Sequence, residues 1–365
     1  MMFQIELAGR ALTTPILQGG MGVGVSMGQL AGHVAACGGM GTISTAGAGY
    51  NEPDFTKNPH EANLRALKKH VENAKELARG AGMVAVNAMV ATTQYAESVR
   101  TAIQAGADAI VCGAGLALDL PALAESAGEK RVALAPIVSS AKAAKVICRS
   151  WQNRYQTLPD FIVVEGSKAG GHLGFSAEQV CSGTAPTLES IVEQVLQAVE
   201  PFMEGLGRKI NVFAAGGVFT GEDIARFTKL GASGAQIATR FIATHECDAS
   251  LDYKKVMLRA KGEDVTIIKS PVGMPGRAVR TPLVQGLELG NFARAKHCVN
   301  CLVPCKPAET PFCIAQALIE AVRGNYEKGL FFCGSNVGRV SKLVSVKDLM
   351  DTLTGEWKAA CTSLG

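Results

Sequence analysis

Aromatic side chains make up only 5% of this 365-residue chain, which disfavours a stacking surface for nucleic acid. The net charge of +4 is not gathered into a basic run, so neither a nucleic-acid footprint nor a membrane-surface patch is expected. No apolar stretch reaches membrane-spanning length without glycine or charge. The segment from Met1 to Arg10 lacks the basic stretch and apolar core of a secretory signal. Also missing is a Gly-x-Gly-x-x-Gly strand-to-helix turn for a separately bound nicotinamide. Eleven cysteines without an export signal point to a reducing, cytoplasmic setting. There, grouped cysteines bind metal or serve redox chemistry more often than they form disulfides.

What the chain does have is glycine, at 41 residues, and a 47% hydrophobic content, together a large core with many tight turns. Short apolar strands alternate with amphipathic helices from residue 15 to about 245. The strands are read at 15–18, 41–45, 83–87, 109–112, 131–138, 161–165, 210–215 and 235–238. Ser26 is expected to cap the first helix, which runs to about Cys37. Eight strand-then-helix units buried on both faces predict an α/β fold, a (β/α)8 TIM barrel. The expected division is a barrel over residues 1–250 and a smaller, mostly helical extension over 251–365, with helices at 314–323 and 346–354.

In such a barrel the ligand groups come from the C-terminal ends of the strands. The stretch Val163 to His172 reads as a buried strand that reaches Glu165, loses its side chains at Gly166, Gly170 and Gly171, and delivers a histidine able to exchange protons near neutral pH. Gln18, Gly19, Gly20, Met21 and Asn87 would share the same mouth. Ala215, Gly216 and Gly217 follow the seventh strand, and Gln236, Ala238, Thr239 and Arg240 follow or end the eighth. Loops at those two strands commonly cradle phosphate, and glycine N–H groups with the Thr239 hydroxyl suit a dianion. Arg240 would add charge there or sit in an ion pair.

In order and at matching spacing, Pro15 to Met21, Glu165-Gly166, Ala169 to His172, Ala214 to Val218, Gly231-Ala232, Gln236 to Phe241 and Glu246-Cys247 resemble the nitronate monooxygenase family. That family includes the FMN-dependent enoyl-acyl-carrier-protein reductases. The resemblance runs from residue 12 to about 285, taking in Lys269-Ser270 and Arg280 to Pro282. It implies FMN over the barrel mouth. Gln18 to Met21 and Asn87 would border the ring. Gly171, Gly216, Gly217, Gln236 and Thr239 would hold the ribityl phosphate. His172 would face substrate, as base or hydrogen-bond partner in nitronate oxidation, or as the group that polarises a thioester carbonyl in enoyl reduction. Lys168 departs from the family pattern and would either favour an anion or face solvent.

Cys298-x2-Cys301-x3-Cys305-x7-Cys313 is a second departure. Four thiolates so closely spaced can surround one metal centre, a [4Fe–4S] cluster first and zinc second, with free or differently paired thiols as the alternative. The first three resemble the iron–sulfur segment of FMN-barrel dienoyl reductases. Cys333 is a fifth candidate. A cluster would feed single electrons, or staple the C-terminal region. Three functions follow: oxidation of a small nitronate, an enoyl reductase driven by NAD(P)H or an electron carrier, or a flavin and iron–sulfur redox sensor. Each works on or through small molecules, and a homodimer is compatible with all three.

Overall fold

The computed structural model describes residues 3–128, 131–206, 208–294 and 297–363. The strands in chain order are β1 Ile5–Leu7, β2 Arg10–Leu12, β3 Ile16–Gln18, β4 Met40–Ser44, β5 Met83–Met89, β6 Ala109–Gly113 and β7 Ala133–Val138. They continue with β8 Phe161–Glu165, β9 Gly171–His172, β10 Asn211–Ala215, β11 Gly234–Ile237, β12 Val265–Lys269 and β13 Pro275–Val279. The helices are α1 Gly28–Ala36, α2 Pro59–Ala78, α3 Tyr95–Gln104, α4 Leu120–Ala127, α5 Ala141–Tyr155, α6 Ala177–Ser182 and α7 Leu188–Leu206. They continue with α8 Gly221–Lys229, α9 Thr239–Ile242, α10 Leu251–Arg259, α11 Pro282–Glu288, α12 Ile314–Val322 and α13 Val346–Ser363.

Strands β3, β4, β5, β6, β7, β8, β10 and β11 close a barrel, with parallel pairing at every seam. The expected (β/α)8 architecture is therefore observed. Small residues in the strands let the barrel close around few large side chains. Ala85, Ala109, Ala133 and Ala135 leave room for Phe161 and Phe213, whose rings meet edge to face at 5.7 Å. The hairpin β1–β2 adds Leu7 and Leu12 to this same inner cluster. A second, larger cluster lies between the strands and the helices and includes Leu30, Val71, Ile103, Trp151, Val195 and Phe227.

The first helix begins differently from expectation. Its N-cap is Met27, and the Ser26 hydroxyl instead accepts from the Met21 N–H at 2.7 Å. The free amides are taken by the Asp248 carboxylate, which accepts from Met27, Gln29 and Leu30 at 2.8, 3.2 and 3.1 Å. A charged acceptor on several amides at the positive end of the helix does the work of a cap from 221 residues away.

The outer ring is completed by the end of the chain. Helix α13 packs against α8 and α1. Gly221, at the start of α8, donates to Glu356 at 2.7 Å, and a Cβ there would press on the backbone of Leu353 and Trp357 at 2.4 Å. Between β11 and α13 lies a long excursion holding a three-stranded antiparallel sheet, β12–β13–β9. That sheet borrows β9 from the loop after β8, so the excursion is tied to the barrel mouth.

Asp108 secures the opposite, N-terminal end of the strands. Its buried carboxylate accepts from Lys75 at 2.6 and 2.7 Å and from the Val84 N–H at 2.9 Å, with Arg10 at 3.5 Å. Removing it strands a partly buried ammonium and a buried amide. Asp108→Ala should cost about 2–4 kcal/mol in urea unfolding while leaving the circular dichroism of the folded protein unchanged. An unchanged midpoint would remove this ion pair from the fold's stability.

Candidate active site

The C-terminal ends of the barrel strands open into a cavity of about 450 Å³. Of the barrel residues expected at the mouth, Gly19, Gly20, Met21, Asn87, Glu165, Gly170, Gly171, His172, Ala215, Gly216, Gly217, Gln236, Ala238, Thr239 and Arg240 all line it. Gln18 does not. It is fully buried below the mouth, where its Oε1 accepts from the Thr42 N–H at 2.9 Å and its amide nitrogen contacts the Gly19 carbonyl. Gln18 thus pins β3 to β4.

Glycine is required where the walls approach most closely. A Cβ on Gly20 would lie 2.5 Å from that of Asn87, and one on Gly170 would meet the Cys333 carbonyl carbon at 2.4 Å. Gly216 and Gly217 adopt φ of 90° and 98°, in the left-handed region, which turns their amides after β10. A Cβ on Gly216 would press on the Gly166 oxygen at 2.8 Å. At these positions glycine lets the wall segments pack directly on one another.

The segment that delivers His172 is strand β9, paired antiparallel with β13 through Gly276 and Arg277. Arg277 is buried, and its guanidinium donates to the carbonyls of Ser167 and Ala169 at 2.6 and 2.5 Å. The His172 ring packs edge to face on Phe332 at 5.1 Å, and its Nε2 lies 2.7 Å from the Ser270 hydroxyl. Ser270 Oγ also accepts from the Val272 N–H at 3.3 Å. Either Nε2 or the serine hydroxyl can donate in this contact, according to the ring tautomer. Burial pushes the imidazole down to about 4, so it is neutral at pH 7. Burial pushes Glu165 the other way, up to about 8, and its carboxyl is protonated at pH 7.

The excursion supplies part of the site. Gly334 donates to the Thr239 hydroxyl at 2.9 Å, and Asn336 Nδ2 donates to the Gly217 carbonyl at 2.8 Å. Phe332, Cys333, Gly334 and Asn336 line the cavity with Met274 and Leu318. Sequence reasoning missed all of these and also Ser270 as the partner of His172. The turn after Phe331-Phe332 carries no ligand pattern of its own, and only the fold brings it over the cradle. Arg240 is committed: it donates to the Phe219 carbonyl at 2.8 Å and lies 4.7 Å from the centre of that ring. Lys168 is exposed at the cavity, and its side chain would touch a Cβ on Gly217 at 3.1 Å, so the cation beside the cradle is Lys168.

The four cysteines of the C-terminal group lie on a loop stitched to the chain that follows β5. Val303 donates to the Ala91 carbonyl at 2.9 Å, Thr93 to that of Cys301 at 3.3 Å, and the Thr93 hydroxyl to Asn300 at 2.6 Å. Burial first, then Cys313, Cys305 and Cys298, push the Cys301 thiol up to about 12, so the four thiols influence one another. All are free thiols, and among the described residues no three His, Cys, Asp or Glu side chains stand ready to hold a metal ion. Cys333, the expected fifth member, sits on the cavity wall instead, with Arg277 as its charged neighbour.

A closed parallel barrel whose mouth is glycine-lined and carries a neutral histidine belongs to the α/β-barrel enzymes. A sequence model of the nitronate monooxygenase family matches residues 6–356, and the chain belongs to that family. It is an FMN-dependent oxidoreductase, as the members of that family are. It is similar to a 5-hydroxy-7a-methyl-1-oxo-octahydro-1H-indene-4-carboxyl-CoA dehydrogenase of Rhodococcus jostii, at 27% identity covering 96% of this chain and 94% of that one. A probable nitronate monooxygenase of Staphylococcus saprophyticus is 26% identical, covering 75% and 78%. Among solved structures, FabK from Thermotoga maritima superposes with a TM-score of 0.73 at 25% identity, covering 96% of this chain and 94% of that one. Among the described residues no helix is long and apolar enough to cross a membrane.

The opposed shifts of Glu165 and His172 give the FMN-free protein a defined pH response. Glu165 binds its proton more tightly folded than unfolded, so stability falls as pH rises from about 4.5 through about 8. His172 binds its proton less tightly folded, so stability falls as pH drops from about 6.5 through about 4. Glu165 faces the cavity, and water entering there moderates the effect. Glu165→Gln should therefore reduce the drop in melting temperature between pH 6 and pH 9 by about 3 °C. Parallel curves for the two proteins would show that Glu165 is ionised in the folded state.

Proposed function

We propose that this FMN-dependent enzyme reduces or oxidises an acyl thioester, with Gly170, Gly171, Ala215, Gly216, Gly217 and Thr239 around the cofactor phosphate. The cradle suits the group by its donors: Gly216 and Gly217 turn their amides after β10, and the Thr239 hydroxyl lines the same cavity. Lys168 supplies the positive charge at that end. FMN, when bound, supplies hydride transfer. The observation that carries the thioester reading is the His172–Ser270 pair. A neutral imidazole held at Nε2 by Ser270 can donate a hydrogen bond to a carbonyl oxygen from Nδ1 when that nitrogen carries the proton. Met89, Met274, Leu318 and Phe332 form an apolar wall beside it, suited to an acyl chain. The carboxyl-CoA substrate in the name of the Rhodococcus relative supports the same class.

Nitronate oxidation is the second reading, favoured by the Staphylococcus relative's name. Anaerobic spectra separate the two. Reduced protein mixed with a 2-enoyl-CoA should recover its flavin band without oxygen. If only an alkyl nitronate exchanges electrons with the flavin, the thioester reading fails. His172→Ala should keep its flavin and lose turnover by about 100-fold or more, and full turnover would remove His172 from the mechanism.

For the cysteines we propose a [4Fe–4S] cluster on Cys298, Cys301, Cys305 and Cys313, with zinc second. What supports it is the donor set: four mutually interacting thiols on one short loop, two of them packed with Met89 against the wall behind the cavity. Binding would draw the thiolates together and lower their pKa values. Protein purified without oxygen should carry about four irons with matching sulfide, and Cys301→Ser should lose them. Zinc alone would replace the assignment, and metal-free protein would overturn it.

A further inference from the structure

One face of α5 carries charge that nothing in the fold answers. Lys142, Lys145 and Arg149 are exposed at helical spacing, opposite the buried Ala144, Ile147, Cys148 and Trp151. The helix contains no acidic residue, and these three cations have no ion-pair partner among the described residues. On other helices some cations are paired, as in Lys75 with Asp108, Arg226 with Asp223 and Lys347 with Asp351, while Lys229, Arg259 and Lys358 have no salt bridge among the described residues; on α5 three such cations line one face. Val146, which is 40% exposed, lies with Ser150 and Asn153 on the same open face.

The same helix begins at the rim of the cavity. Its N-cap Ser140, preceded by Ser139, lines the cavity along with Ala143, and the exposed Leu116 borders the same opening. The charged face thus starts near the mouth and runs outward along the helix. Lys142 to Arg149 span about 10 Å of helix rise, a row of charge longer than one phosphate. An apolar side chain and two polar ones beside that row suit a purine and a ribose.

We infer that the α5 face binds the phosphorylated nucleotide handle of a coenzyme A thioester whose acyl end lies at His172. This rests on the thioester reading above and adds the form in which the thioester is carried. The cations meet the phosphates, and Val146 meets the base. The strength of a contact of this kind falls with salt, because the charges are exposed.

The test uses full-length, FMN-loaded protein and free coenzyme A, followed by isothermal titration at low salt. Lys145→Glu/Arg149→Glu should weaken coenzyme A at least tenfold, with an unchanged flavin spectrum and melting temperature. Lys145→Gln/Arg149→Gln should give an intermediate loss, and pantetheine, which lacks the nucleotide, should bind all three proteins alike. Equal coenzyme A affinity across the three, or none in the wild type, overturns the inference. If affinity for coenzyme A is equal but turnover of a carrier-protein thioester falls in the variants, α5 docks an acidic protein and the inference is again overturned. An N-acetylcysteamine thioester separates the two levels. If the wild type turns it over while coenzyme A binding is indifferent to α5, the thioester reading stands and the handle site falls.

Discussion

The buried Arg277 guanidinium is the constraint on which the rest of the site depends. A charge removed from water needs several good acceptors, and here the carbonyls of Ser167 and Ala169 supply two on one nitrogen. Those carbonyls belong to the glycine-rich turn after β8. Clamping them orients the turn, and the pairing of β9 with β13 then carries His172 to Ser270. The turn itself is free to bend because Gly170 and Gly171 have no side chains. Arg277 makes that freedom into one conformation. Leu173 completes the clamp by donating to the Pro275 carbonyl at 2.8 Å.

The barrel was legible because its signal is local. Each strand is a short apolar run bounded by glycine or a polar helix, and eight of them repeat in register with the helices. The site residues on strand ends were legible for the same reason: in a parallel barrel, position along a strand sets position in the mouth. What was not legible depends on long-range contacts. Asp248 outcompetes Ser26 for the α1 amides only because the fold brings it there. The last ring helix comes from residues 346–363, after an excursion of more than 100 residues, and nothing in its amphipathic pattern names its neighbours. Ser270 and the Phe332 to Asn336 turn enter the site through the same excursion. A division of the chain near residue 250 therefore remains a proposal about folding units. The ring helix and the wall segments tie the two parts together.

The charged residues of the cavity differ in what they can offer a ligand. Its lining holds three charged residue types that could set a field: Glu165, Lys168 and Arg240. Glu165 is protonated at neutral pH because the barrel desolvates it, and Arg240 spends its guanidinium on Phe219. Lys168 is left as the exposed cation, beside Gly217 at the cradle. His172 is neutral, and Met274, Leu318 and Phe332 line the same cavity. The cavity therefore combines one exposed cation beside Gly217 with an uncharged histidine, and a free nitronate anion would gain nothing from charge at that histidine, whereas a thioester needs none there.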